Sequence, residues 1–424
     1  MKTLLYNAKI LTMKDKEDIF EGAIGIEDNK ITYVGPSNCK ENQFDLKIDC
    51  KGNLLMPGFK NAHTHSGMSV LRSLADDLPL ADWLNNSIFP VEAKMTPEDI
   101  YYMTVLSLME YLTSGITACF DMYLTPDSIA KAMEDVGFRC VQTGAVNNFS
   151  QSPELLEEWF LKYNQKESLN SFLLGFHAEY TTSKERIEQI AALASKYKAP
   201  VYMHLSETES EVNGCVERYG MTPLKFLDSL GMFEYGGGIF HGVYITDEEM
   251  EIMKKKNIYE VTNPASNAKL ASGIAPISKY LQKGIPVAIG TDGPASNNCL
   301  DMFREMFLVT ALGKLKDMDA SSIDANEVLK MATVNGAKAM HLDNCDILSE
   351  GKLADIIMLD LKAPNMQPLN NITKNIVYSG SKANVLMTMI NGKILYENNK
   401  FNIGFEPEVI YDKVSKIKER IINV

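Results

Sequence analysis

The sequence predicts an α/β protein: a (β/α)8 TIM-like barrel carrying a small β-sandwich domain built from both termini. Three observations carry this expectation. Between residues 57 and 346, apolar strand-like runs alternate with helical stretches about eight times, which is the rhythm of a parallel barrel. Both flanks switch to short strands with period-two alternation, as in Lys30-Ile31-Thr32-Tyr33-Val34, the pattern of an antiparallel sheet. A chain of 424 residues suits one large barrel with a satellite. The expected boundaries are 1–56 for the N-terminal part of the composite β-domain, 57–346 for the barrel, and 347–424 for the C-terminal part with a closing helix. A doubly wound sheet shares the strand and helix rhythm, so periodicity alone leaves that alternative open.

In chain order, strands are expected at 3–13, 22–27 and 30–35, with a turn at Asp28-Asn29. The candidate barrel strands are 54–61, 116–122, 139–146, 172–178, 201–205, 238–243, 258–262 and 287–291. Helical stretches at 96–113, 128–136, 184–198 and 246–256 separate them. Strands return at 354–360, 385–390 and 394–396, the last two joined by Asn391-Gly392-Lys393, and an amphipathic helix spans 407–422.

The chain is 45% hydrophobic and 23% charged, an ordinary globular composition. A formal net charge of −13 argues against a nucleic-acid partner, because there is no basic surplus to displace counterions. No apolar run reaches the roughly 18 residues that a membrane span needs. The start, Met1-Lys2-Thr3-Leu4-Leu5, lacks the long apolar core of a signal peptide. Seven scattered cysteines without Cys-x-x-Cys spacing fit free thiols in a reducing cytoplasm. Any metal is therefore to be sought among histidines and carboxylates.

There are six histidines, and five fall on or just after predicted barrel strands: His63 and His65, His177, His204, and His241. The carboxyl ends of barrel strands form one face, so residues remote in sequence can meet there. His63 and His65 stand two apart, which on a strand turns both to one side. Together with His204 and with Asp292 after the eighth strand, they supply three nitrogens and one oxygen. That donor set suits one divalent ion with an open position, Zn²⁺ first and Fe²⁺ as the alternative. Taken singly, each has an ordinary reading: partly buried polar residues, a core histidine, a turn aspartate before Gly293. Glu207, three residues past His204, can hold and deliver a proton if burial tunes it toward neutrality; its alternative is a solvated loop residue beside Glu209 and Glu211. His241 can polarise an attacking hydroxide or a tetrahedral oxygen, or serve as a fifth ligand.

Met56-Pro57-Gly58 leading into Asn61-Ala62-His63-Thr64-His65-Ser66-Gly67-Met68, then His204-Leu205-Ser206-Glu207, Asn263-Pro264-Ala265-Ser266-Asn267 and Gly290-Thr291-Asp292-Gly293, resemble the amidohydrolase superfamily over nearly the whole chain. Within it the sequence is similar to the methylthioadenosine/S-adenosylhomocysteine deaminases, akin to triazine hydrolases and guanine deaminases. The resemblance implies one catalytic metal on His63, His65, His204 and Asp292, and hydrolytic deamination of an aminated purine of adenosine type. It assigns acid/base duty to Glu207, proton acceptance to Asp292, and substrate contacts to Glu92 (in Phe89-Pro90-Val91-Glu92), His177 and a lid aromatic, Trp83. The metal centre would equally serve a guanine-, cytosine- or triazine-type substrate, and a non-catalytic barrel scaffold is the reading from another class. The implied partner is a small molecule, with homo-oligomerisation left open. Two departures stand out. The deaminases commonly carry an arginine after the third strand to grip a carboxylate, whereas no arginine lies between Arg139 and Arg186, and Glu179 stands where a proline is common, adding a negative charge near the pocket or a bridging group for a second metal.

Overall fold

The computed structural model describes residues 1–14, 19–37, 43–165 and 168–422. Eight strands form the parallel sheet expected: Phe59–Thr64, Ile116–Met122, Arg139–Thr143, Asn170–Ala178, Val201–Leu205, Gly237–His241, Ile258–Thr262 and Val287–Ile289. They lie in sequential order, each hydrogen-bonded to the next. The ring closes through a side chain as well as backbone. Asn61 accepts from the Thr291 amide (2.8 Å) and donates to the Thr291 hydroxyl (2.7 Å), and the Asp292 amide donates to the His63 carbonyl (3.0 Å).

Alternation assigns the two faces of each strand. Ala62, Ala118, Phe120, Val141, Tyr202, Phe240, Val261 and Ala288 pack together inside the ring. Ile116, Phe172, Val201, Met203, Ile239, Ile258, Val287 and Ile289 face outward into the core shared with the helices. Helices Pro97–Thr113 and Asp247–Lys256 each open on a Thr-x-x-acid capping box. Thr96 pairs with Asp99, and Thr246 with Glu249, whose carboxylate takes the Thr246 amide at 2.9 Å.

The first barrel strand differs from expectation. Residues 54–61 do not run as one barrel strand, because Leu54–Pro57 belongs to the terminal sheet and the barrel begins at Phe59. Pro57 lacks a ladder donor, and Gly58 passes so close to Thr117 that a Cβ there would lie 2.1 Å from its methyl group. The third strand ends at Thr143 rather than 146. The sixth ends at His241, since His241 and Gly242 both adopt positive φ (79° and 46°) and leave the ladder.

The second sheet has nine strands drawn from both chain ends. Leu54–Pro57 lies at its centre, parallel to Lys2–Leu11 on one side and antiparallel to Ile356–Leu359 on the other. Ile19–Glu27 and Lys30–Gly35 continue from the first neighbour, and Val385–Ile390, Lys393–Glu397 and Lys400–Phe401 from the second. The sheet curls until its flanks meet. The Ile31 amide reaches the Lys352 carbonyl (2.9 Å), and Gly392 packs against Asp28 so tightly that a Cβ would lie 2.1 Å from its carbonyl oxygen. Arg139 and Asp355, both buried, tie this sheet to the barrel through paired bonds of 2.7 and 3.0 Å. The closing helix spans Pro407–Ile422. No helix among the described residues is long and apolar enough to cross a membrane. Six cysteines are free thiols; Cys39 lies outside the described residues.

Candidate active site

At the carboxyl ends of the barrel strands, one ligand-type atom each of His63, His65, His204 and Asp292 lies within 4.8 Å of the others. His63 is fully buried and stacked on Phe240, with ring centroids 3.8 Å apart, and neither of its nitrogens has a hydrogen-bond partner. His65 donates from Nδ1 to the Met122 carbonyl and His204 from Nδ1 to the His177 carbonyl (2.7 Å). Since carbonyls only accept, these bonds occupy Nδ1 and leave Nε2 as the ligand-type nitrogen of each ring; burial would lower His65, but Asp292 outweighs it and raises that ring's proton affinity. Burial lowers His63 to about 3 and His204 well below its ordinary value, so both rings are neutral, the form that binds a metal.

Asp292 Oδ1 lies 3.1 Å from His65 Nε2 and 3.5 Å from His63 Nε2. Its other oxygen accepts from Ser266 (2.6 Å) and Ser296 (2.8 Å). Burial alone would raise this carboxyl, but the histidines beside it outweigh burial and hold it well below the usual carboxylate range. Asp292 itself sits at φ +60°, a conformation held by the bonds around it. A buried imidazole with two orphaned nitrogens, two further imidazoles whose Nδ1 is tied to a carbonyl, and an ionised carboxylate together match the donor set of a divalent cation.

Glu207 is buried beside this group. Its Oε1 accepts from the Ser272 hydroxyl at 2.9 Å, and its Oε2 stands 3.7 Å from His241 Nε2. Burial raises its proton affinity, with the neighbouring Asp292 adding to the shift and His241 opposing it. His241 is oriented by Asn267 Oδ1, 2.7 Å from its Nδ1, and stands outside the four-residue group.

His65, His204, Glu207, His241 and Asp292 line a cleft of about 730 Å³ including its open mouth. Glu92, His177 and Trp83 line it too. Burial pushes the Glu92 carboxyl up to about 7, opposed by a hydrogen bond from Tyr123, a pocket residue with no signal in the sequence. Trp83 ends the helical turn Leu80–Trp83, and with Leu80, Leu84, Ile88 and Phe89 it forms an apolar wall. His177 Nδ1 lies 2.8 Å from the Thr181 hydroxyl.

Glu179 is a correction. Rather than charging the pocket or bridging metals, it is buried against Arg218, with bonds of 2.6 and 3.3 Å, and it does not line the cleft. Arg186 also faces away, donating to the carbonyls of Asn147 and Gln151 and so fastening the loop after the third strand. Among the described residues, the cleft has no lysine or arginine in its lining. Ser266, Ser272, Ser296 and Asn267 escaped the sequence reading as individuals. Ser266 and Asn267 lie within Asn263-Pro264-Ala265-Ser266-Asn267, where only the folded geometry separates the residues that meet Asp292 and His241 from the rest.

A buried polar cluster at the carboxyl ends of barrel strands defines a barrel enzyme built around a metal-type centre. A family model described as "Amidohydrolase family" matches residues 54–395. The chain is 38% identical to the 5-methylthioadenosine/S-adenosylhomocysteine deaminase of Thermoanaerobacter pseudethanolicus, over 99% of this chain and 100% of that one. It is 37% identical to the 5'-deoxyadenosine deaminase of Methanosarcina acetivorans, over 99% and 98%. Among solved structures, an adenosine deaminase from Xanthomonas campestris with bound zinc superposes with a TM-score of 0.94 at 30% identity, covering 100% and 99% of the two chains. The chain belongs to the amidohydrolase family.

Proposed function

We propose that this protein is a metal-dependent hydrolytic deaminase of adenosine-type nucleosides, releasing ammonia and the inosine-type product. The observation that carries the reading is Glu207: a buried carboxyl with raised proton affinity, held by Ser272 and opening onto the same cleft as His65, His204 and Asp292 of the metal-type group. The full-length deaminase relatives support it. His63, His65, His204 and Asp292 would hold one divalent ion, Zn²⁺ in this reading and Fe²⁺ as the alternative, which supplies Lewis acidity and an acidified water.

The chain's own groups do the rest. Asp292, ionised and aimed by Ser266 and Ser296, accepts the proton lost as water adds to the amino-bearing ring carbon. Glu207 gives its proton to the adjacent ring nitrogen, and His241, aimed by Asn267, stabilises the oxygen where negative charge develops. Asp292 passes its proton to the amino group as the C–N bond breaks, ammonia leaves, the hydroxyl proton returns to Glu207, and the ring becomes an oxo-purine. Trp83 covers the base, while Glu92 and His177 meet the sugar side. Because the lining carries the carboxyl groups of Glu92, Glu207 and Asp292 and, among the described residues, no lysine or arginine, it suits a neutral 5' substituent better than an amino-acid carboxylate, which calls for a charged partner.

Ammonia release across adenosine, 5'-deoxyadenosine, 5'-methylthioadenosine, S-adenosylhomocysteine, guanine, cytosine and a triazine tests the reading. Turnover confined to a free base or triazine would overturn the substrate, and less than about half an equivalent of bound metal with no gain on reconstitution would overturn the enzyme.

A further inference from the structure

Helix Glu209–Tyr219 opens on Thr208-Glu209-Ser210-Glu211, the same Thr-x-x-acid pattern as the two capping boxes described above. Its hydroxyl half forms as expected, with the Glu211 amide donating to Thr208 Oγ1 at 3.2 Å. The carboxylate half goes elsewhere. Glu211 is 6% exposed, and its two oxygens accept from consecutive amides upstream of the cap, Ser206 at 2.7 Å and Glu207 at 2.9 Å. Asp99 and Glu249, in the equivalent position of their helices, take the amide of the capping threonine.

The segment so gripped is strained. Ser206 has φ +53°, a conformation few non-glycine residues adopt without local support. Its carbonyl is held from the other side by the amides of Val243 (3.1 Å) and Tyr244 (2.9 Å), in the loop that follows His241. The Ser206 residue is thus pinned at both ends, and the left-handed turn carries the chain from the His204 strand to Glu207. Capping a helix does not require a carboxylate buried next to Glu207. Burial pushes the Glu211 carboxyl up to about 7 against the pull of both amides, and the neighbouring Glu207 adds to that push.

We propose that Glu211 is a positioning residue for Glu207, clamping the Ser206-Glu207 backbone in the turn that presents the Glu207 carboxyl to the substrate. Asp99 shows how to separate clamp from cap. One methylene shorter, an aspartate at this helix position makes the ordinary box, so Glu211→Asp retains charge and cap but loses reach. Glu249→Asp is the control, since the ordinary box of helix Asp247–Lys256 tolerates the shorter acid.

For a nucleoside the parent deaminates, Glu211→Asp is expected to lower kcat by about tenfold or more with KM within about threefold, metal content unchanged and Tm close to the parent's. Glu249→Asp should leave kcat within about twofold. In hydrogen exchange, the segment 201–208 should exchange about tenfold faster in Glu211→Asp. Glu211→Gln, which can offer only one of the two acceptors, should show the same pattern should the aspartate variant not accumulate.

The kinetic arm rests on the deaminase reading, but the exchange arm needs no substrate. A parent inactive on every nucleoside refutes that reading and leaves the clamp to be judged by exchange. Unchanged exchange, a Glu211→Asp kcat within about twofold of the parent, or equal losses in both aspartate variants would each overturn the clamp.

Discussion

Replacing Arg139 by methionine tests how the terminal sheet is fastened to the barrel. The guanidinium donates to both oxygens of Asp355, at 2.7 and 3.0 Å, with both side chains buried. Methionine keeps the stem and leaves the carboxylate buried without its partner. Breaking such a pair typically costs about 3–5 kcal/mol. Two groups soften the loss: the Asn391 amide still donates to Asp355 (2.8 Å), and the charge of buried Lys60, held on Gly58 and Thr117, remains in range. The low end, about 3 kcal/mol, is therefore expected. With an unfolding entropy of about 2.1 cal/mol/K per residue, a chain of this size loses about 3–4 °C in Tm. Scanning calorimetry at pH 7 and matched metal content measures it. Arg139→Met combined with Asp355→Asn should recover at least half the loss, because the uncompensated charge is gone while the Asn391 bond survives. A fall below about 1 °C, or a double variant less stable than the single one, would refute the reasoning. Burial pushes the Asp355 carboxyl up, but Arg139 outweighs burial and holds it below its ordinary value. Its contribution is therefore present above the unfolded carboxyl pKa near 3.9 and fades as pH falls through the lower folded value, so the gap between parent and Arg139→Met closes in acid.

Other outcomes follow from the site. Glu207→Gln should cut kcat by about a hundredfold or more with metal retained, and near-normal turnover would remove Glu207 from the proton path. His204→Asn should lose bound metal together with activity, as read by elemental analysis. 5'-Methylthioadenosine should exceed S-adenosylhomocysteine in kcat/KM by about tenfold or more, and equal values would show that a lining without lysine or arginine among the described residues does not discriminate. Buried Glu305, which accepts from the Ala265 amide and Asn297, is pushed by burial up to about 8 from 4.5. The folded state therefore keeps a proton that the unfolded chain releases, and stability falls as pH rises across that interval. Thermal scans of Glu305→Gln, with a permanently neutral group, should show a flatter pH dependence there.

The strand and helix rhythm was legible because the barrel strands are largely buried on both faces and read as mostly apolar runs, as Ile116–Met122 does despite Thr117 and Asp121. The histidines were legible because they are scarce and fall at strand ends. Strand ends themselves were less so: nothing in the residue pattern of 54–61 marks the hand-over from one sheet to another at Gly58, which is set by the close approach of Thr117. The supporting polar groups were invisible for a different reason. Ser266, Ser296 and Ser272 are common residues whose role depends on which oxygen they meet. Glu211 and Glu179 show the same limit, since one acidic residue near a motif grips backbone and the other is neutralised by an arginine 39 positions away.

The strand Leu54–Pro57 has a consequence for how the molecule is made. It runs through Gly58 into the strand that carries His63, and one of its two neighbours is Ile356–Leu359. On a ribosome, the chain must therefore extend some 300 residues beyond this strand before its partner is synthesised. Contacts of such long sequence separation form slowly. The strand that leads into His63 thus lacks this neighbour until Leu359 has emerged, and a nascent chain arrested before that point leaves its edge unpaired and open to aggregation.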